Sequence, residues 1–332
     1  MNLQYRIDLL SRLGLYILDN DASWQEAKEK ASRENGWFIP EFVDLSTNNI
    51  ANYFLQKDKL EKWAGDYHLP SVNNAPKTIG IVMAGNIPLV GFHDFLCVFI
   101  AGHKAMIKTS SKDETLIKHL AGKLAEWEAE VNEWIEFSVM LKGCDAYIAT
   151  GSNNAAGYFD YYFGKYPHII RRNRTSVAVL SGKESTEDLE KLADDVYLYF
   201  GLGCRNVTKI YIPAEYDFIP LLNAFKKYEW LADHHKYKNN YDYNLALHLL
   251  NKKFYMSNPS LLLVEESSFF SPISQLHYEF YNDPDKLTSM LNQSPDLQCI
   301  VGKGFISFGH SQAPSLTDYA DGVDTLAFVS RL

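Results

Sequence analysis

The spacing of hydrophobic residues changes along this chain. The first 75 residues read as helix-rich and aromatic, closing in "LPSVNNAPK", where proline and asparagine mark a linker. "TIGIVMAG" (Thr78–Gly85) is then a nearly continuous apolar run, the pattern of a strand buried on both faces of a parallel sheet. A helix is predicted from Pro88 to Ala101, with proline in its first turn. "KAMIKTS" predicts a second strand, and "KDETLIKHLAGKLAEWEAEV" an amphipathic helix with acidic residues leading. "DAYIAT" (Asp145–Thr150) is a further strand that enters a helix through Gly151-Ser152.

A second series starts near "SVAVLSG" (Ser176–Gly182). It runs through the helix "ESTEDLEKLADDVYLYF", a turn at Cys204, the strand "NVTKIYIP" and two further helices, with "SLLLVEE", "QLHYEFYN" and "LQCIVGKG" as later strands. Strands alternating with helices predict βαβ units and doubly wound parallel sheets. The tail from Phe305 is rich in turn residues and reads as ending in a short apolar strand. It is expected to return to the first domain or to pair with a second copy in a homo-oligomer.

Composition narrows the partners. The 332 residues suit about two domains. A formal net charge of −9 argues against nucleic acid or anionic membrane as the main partner. The N-terminus lacks a signal-peptide pattern, and no window approaches the roughly 20 apolar residues of a membrane span. A cytoplasmic location is expected. The four cysteines (Cys97, Cys144, Cys204, Cys299) form no C-x-x-C pair and the ten histidines no ligand spacing, so reduced thiols and no structural metal are expected.

The candidate chemistry gathers at strand ends. No complete G-x-G-x-x-G is present, so a dinucleotide fingerprint is not what carries the reading. Asn86 in "AGNIP" follows a parallel strand, where it can stabilise an oxyanion or simply cap the next helix. Lys108 ends the neighbouring strand and faces a ribose, a 2′-phosphate or only solvent. Gly151-Ser152 can meet a phosphate at a helix start or act as an ordinary N-cap. Cys204 follows Gly201 and Gly203, which permit a tight turn presenting the thiol. Arg171, Arg172, Arg174 and Arg205 are candidates to favour its thiolate. Cys97, Cys144 and Cys299 lie in apolar runs and read as buried and inert.

Taken in order, "GNIP", "IKTSSKDE", "IATGS" and "YFGLGCRN" resemble the aldehyde dehydrogenase superfamily. The length, "RRNRTSVAVLSG" and the tail "GH…DGVDTLAFV" are most similar to its LuxC-type acyl-CoA reductase branch. The likeness runs from about Ile79 to the C-terminus. It implies an α/β, aldehyde dehydrogenase-like fold: two doubly wound α/β domains with the active site in the cleft between them. The implied division is a helical segment 1–75, a nucleotide-binding domain 76–182, a catalytic cysteine domain 183–304 and the tail 305–332. Cys204 is then the nucleophile, Asn86 the oxyanion donor, and Lys108, Gly151 and Ser152 hold the cofactor.

Two departures shape the chemistry. "IIRRNRTS" stands where hydrolytic relatives carry a general-base glutamate in "ELGG", and "SFFSP" (Ser268–Pro272) where they carry "EIFGP". The resemblance thus implies acylation of Cys204 by an acyl-CoA, loss of CoA, and reduction with NADPH to an aldehyde. Glu265, Glu266 or His310 could replace the missing base, while His310 and Gln312 receive no firm role. Two other classes stay open: a cysteine acyltransferase or thioesterase without redox cofactor, and a catalytically silent subunit.

Overall fold

The computed structural model describes residues 1–332, the side chain of Asn153 excepted. It divides into two compact units, residues 1–173 with 314–332, and residues 174–313.

The first unit opens with α1 (Leu3–Asp19), α2 (Ala22–Glu34), α3 (Pro40–Asn49) and α4 (Lys57–Asp66). Asn2 and Asp21 start α1 and α2 by accepting the Tyr5 and Trp24 N–H groups, and Pro40 opens α3. Leu10, Leu13, Trp24 and Leu60 are fully buried in one core with the sheet that follows. That sheet is built from β1 (Thr78–Val82), α5 (Phe92–Ile100), β2 (Lys104–Lys108), α6 (Thr115–Trp127), β3 (Ile135–Phe137), β4 (Ala146–Thr150), α7 (Asn153–Phe163) and β5 (His168–Arg171). All its strands are parallel, in the order β3-β2-β1-β4-β5. Strand order reverses between β1 and β4, so a switch point opens at their carboxyl ends. The helix expected from Pro88 begins only at Phe92, because Leu89 takes a left-handed turn (φ 55°) that no regular helix tolerates.

The second unit contains β6 (Thr175–Val179), α8 (Thr186–Tyr197), β7 (Val207–Pro213), α9 (Phe218–Ala224), α10 (His235–Leu250), β8 (Met256–Asn258), β9 (Leu261–Glu265), β10 (Gln275–Tyr281), α11 (Pro284–Asn292) and β11 (Leu297–Gly302). Its sheet runs β11-β6-β7-β10-β9-β8, with only β8 antiparallel to its neighbour. The boundary expected at residue 182 therefore falls at 173, since β6 pairs with β7 and β11.

The expected division at 304 moves as well. Residues 305–313 stay with the second unit, and 314–332 pack within the first. Trp63 and Tyr67 side chains bond Tyr319 and Asp324 (3.0 and 2.6 Å). Buried Arg171 bonds Asp94 and Thr325. The last apolar run is a short helix, α12 (Thr325–Val329), not the strand its five residues suggested. Asp324 caps it through the Ala327 N–H, which turns an ambiguous apolar run helical.

Candidate functional site

Cys204 lies on a four-residue turn just before β7, closed by the Asn206 N–H to the Gly203 carbonyl at 3.1 Å. The thiol residue is half-buried, whereas Cys97 and Cys144 are buried. Burial pushes the Cys97 and Cys144 thiols up, away from thiolate. The chain reaches the turn through a strained path: Tyr199 (φ 55°), Phe200 (φ 58°) and Gly201 (φ 74°) are all left-handed. Only glycine adopts that region without penalty, so the two aromatics cost about 1–3 kcal/mol each.

Asn206 closes this segment from behind. It is fully buried; its Oδ1 accepts the Gly203 N–H (2.8 Å), and its Nδ2 donates to the carbonyls of Asp195, Val196 and Leu198 (3.2, 3.3 and 2.8 Å). One amide thus takes up carbonyls left over where α8 ends. The Ser176 hydroxyl donates to the Cys204 carbonyl at 3.0 Å and stands 3.0 Å from the Cys299 Sγ. Cys299, expected buried, is half-exposed on β11, the edge strand of its sheet, where the pairing register shifts between Leu297 and Cys299.

Two further segments of the second unit are pinned by buried or half-buried side chains. The stretch "SFFSP" and the serine before it are held by Lys209 Nζ to the Ser267 carbonyl (2.7 Å), Thr208 Oγ1 to the Phe269 carbonyl (2.6 Å), and His277 Nδ1 against the Ser268 carbonyl (3.0 Å). Burial lowers the His277 pKa, favouring the neutral ring. Lys209 also pairs with Glu279 at 2.5 Å. The buried Asp195 carboxylate accepts the N–H groups of Gly309 and Ser311 (2.7 and 2.9 Å), fixing the backbone on either side of exposed His310. Glu266 is tied to Lys253 at 2.7 Å; that partner holds its carboxyl at about 2, which makes it a poor base.

In the first unit, Asn86 is exposed on the loop after β1. The loop is fastened by Ser46 Oγ to the Pro88 carbonyl and by the Leu89 N–H to Asp113 Oδ2, both 2.6 Å. A Cβ on Gly85 would lie 2.6 Å from the Ser110 hydroxyl, so only glycine lets the loop pass. Lys108 and Ser152 follow from β2 and β4, the two neighbours of β1, at the carboxyl edge of the sheet. Ser152 Oγ caps α7 through the Ala155 N–H (3.3 Å), so its hydroxyl has the N-cap role. A Cβ on Gly151 would meet the Phe159 ring at 2.9 Å, so a larger residue where β4 enters α7 would have to push that ring aside. An eleven-residue helix start, an exposed lysine and a switch point together fit the phosphates of a dinucleotide.

Of the arginines named as thiolate partners, Arg171 is bound to Asp94 and Thr325, and Arg172 to Asp160. Arg174 donates to the Leu297 carbonyl, and half-buried Arg205 follows Cys204 directly. The sequence pattern does not mark Asn206, whose partners lie 3 to 11 residues away, or Asp113 and Asp195, whose partners lie on distant backbone. Only the polar step after Cys204 hinted at the first. Among the described residues no group of three or more His, Cys, Asp or Glu could hold a metal ion, and no helix is long and apolar enough to cross a membrane.

No protein-family model matches the chain. Over 340 residues it is 22% identical to a long-chain acyl-protein thioester reductase of Aliivibrio fischeri, covering 94% of this chain and 69% of that protein. Among solved structures, a NAD-dependent benzaldehyde dehydrogenase from Corynebacterium glutamicum superposes with a TM-score of 0.67 at 13% identity, covering 91% of this chain and 76% of that one. Aldehyde dehydrogenase 21 from Physcomitrella patens gives 0.66 at 12% identity, covering 91% and 74%. The fold is that of the aldehyde dehydrogenases.

Proposed function

We propose that this chain, with its aldehyde dehydrogenase fold and its sequence likeness to a LuxC-type thioester reductase, reduces an acyl thioester to an aldehyde through an acyl-cysteine at Cys204. The observation that carries the reading is the turn itself. Cys204 is half-exposed just after a strained stretch, on a turn that Asn206 and Ser176 fasten; Cys97 and Cys144 are packed into cores, and half-exposed Cys299 lies on a strand with no such turn. Strain of this kind persists where the surroundings over-determine it, and it collects at functional sites.

In this reading the Cys204 thiolate attacks the thioester carbonyl of an acyl-CoA. The new S–C bond forms as the carbonyl π electrons move to oxygen. Asn86 Nδ2 and a backbone N–H of the Cys204 turn donate to that oxyanion. Its collapse breaks the C–S bond to CoA, whose sulfur leaves and takes up a proton. Lys108 and the backbone of Gly151-Ser152 are the candidate holders of NADPH. Bound NADPH supplies the hydride that reduces the acyl carbon. Release of aldehyde breaks the bond to Cys204 and restores its thiolate.

The residues also weigh against water as the acceptor. Ile169–Ser176 contains no carboxylate, and arginine and asparagine cannot serve as general bases at neutral pH. Glu266 is committed to Lys253. The name of the Aliivibrio fischeri relative favours a second donor, a long-chain acyl thioester carried on a protein. A panel of acyl-CoAs incubated with NADPH, followed by absorbance loss and aldehyde formation, tests the reading. Aldehyde produced in step with cofactor oxidation supports it. Free fatty acid released steadily without NADPH moves the protein to the thioesterase class.

A further inference from the structure

We infer that Asn206 is a positioning residue for the Cys204 nucleophile, with Ser176 as its second fastening. The inference rests on Cys204 being the acylated thiol, and it adds what sets that thiol's place and direction.

Three observations carry it. First, Asn206 is completely buried two residues from Cys204, and its amide is fully engaged. The Oδ1 accepts the Gly203 N–H on one side of the cysteine, and the Nδ2 donates to three carbonyls at the end of α8. An amide has one acceptor and two donor hydrogens, and no other side chain of similar size supplies both kinds in this geometry. Second, the main chain of Asn206 closes the turn to the Gly203 carbonyl, and its own carbonyl receives the Ser176 N–H at 3.2 Å. The same Ser176 donates its hydroxyl to the Cys204 carbonyl. Cys204 is thus fastened on both sides, at Gly203 and Asn206, and at its own carbonyl.

Third, these bonds hold a backbone that would not otherwise persist. Tyr199 and Phe200 are left-handed, so the regular helical ladder stops just before them, and the Asn206 amide donates to the carbonyls where it stops. Without the Asn206 amide, three carbonyls and one N–H lose their partner in a buried place, and the chain gains a reason to unwind toward ordinary dihedral angles. The thiol moves with it. A displacement of about 1 Å in a reacting group can slow a reaction by about 10²-fold.

The test uses the full chain as wild type, Cys204→Ala, Ser176→Ala and Asn206→Ala. Palmitoyl-CoA is the acyl donor, and intact-mass spectrometry times adduct formation at rising donor concentration. In Asn206→Ala the limiting acylation rate should fall by about 10²-fold while the half-saturating palmitoyl-CoA concentration holds. Alkylation by iodoacetamide, which needs no oriented carbonyl, should fall far less. Ser176→Ala loses a single bond to the turn and should slow acylation by about tenfold, which keeps the test valid if Asn206→Ala does not fold. A wild-type acylation rate in Ser176→Ala, or in folded Asn206→Ala, overturns the inference. Equal losses in acylation and alkylation overturn it too, since they mark general loosening. If wild type itself forms no adduct that Cys204→Ala abolishes, it is the acyl-cysteine reading that fails.

Discussion

Replacing Asp113 with asparagine should make the protein relatively more stable at high pH and leave the Asn86 loop in place. Asp113 is 6% exposed, and one of its oxygens, Oδ1, has no hydrogen-bond partner. Burial raises its pKa from 3.8 to about 7, a rise partly offset by the Leu89 N–H that its other oxygen accepts. The folded chain therefore keeps the proton through a range where the unfolded chain has released it. The resulting stability is fully present below about pH 3.8 and is lost as pH rises through about 7. The interval of 7 − 3.8 = 3.2 pH units, at 1.36 kcal/mol each, gives about 4 kcal/mol. Asparagine cannot ionise, and its oxygen still accepts from Leu89. The stability of Asp113→Asn relative to wild type should therefore rise by about 4 kcal/mol between pH 4 and pH 8, or roughly 8–16 °C in Tm. Thermal unfolding of both proteins across that range measures it, with the other titrating groups cancelling in the difference. A difference that does not change with pH would refute the burial of an ionisable carboxyl beside the Asn86 loop.

Two other substitutions separate function from support. Asn86→Ala should lower turnover by about 10²–10³-fold with little change in substrate binding, as for one lost oxyanion donor. If the residue only supports the loop after β1, steady-state kinetics will be unchanged and thermal melts will show a loss of about 1 kcal/mol. Asp94→Ala should destabilise the first unit by about 3–5 kcal/mol, because it leaves the buried Arg171 guanidinium without its carboxylate. Urea unfolding reads that loss, and an unchanged midpoint would contradict the pairing.

The strands that could be read from sequence are the ones buried on both faces. β1, β4 and β9 are nearly continuous apolar runs because helices or other strands cover them on every side. β3, β5 and β8, of three or four residues, carry too little pattern to register, and two of them are sheet edges in the first unit. The turn at Cys204 could be read because its glycines announce it. Its fastening could not, since Asn206 looks like any polar residue until α8 delivers three carbonyls to its amide. Asp113 and Asp195 were missed for the same reason: each serves backbone N–H groups 24 and 114 or 116 residues away. The arginine-rich stretch misled in the opposite sense, since Arg171 answers Asp94 rather than a thiol.

The most direct test of the acyl-cysteine is a single-turnover experiment with acyl-CoA and no cofactor. A burst of free CoA equal to the enzyme present is expected, with an intact-mass increase of one acyl group and little turnover afterwards. Adding NADPH should discharge the adduct and release aldehyde, and Cys204→Ala should show neither burst nor adduct. An acyl adduct that persists in Cys204→Ala would contradict the assignment of the nucleophile.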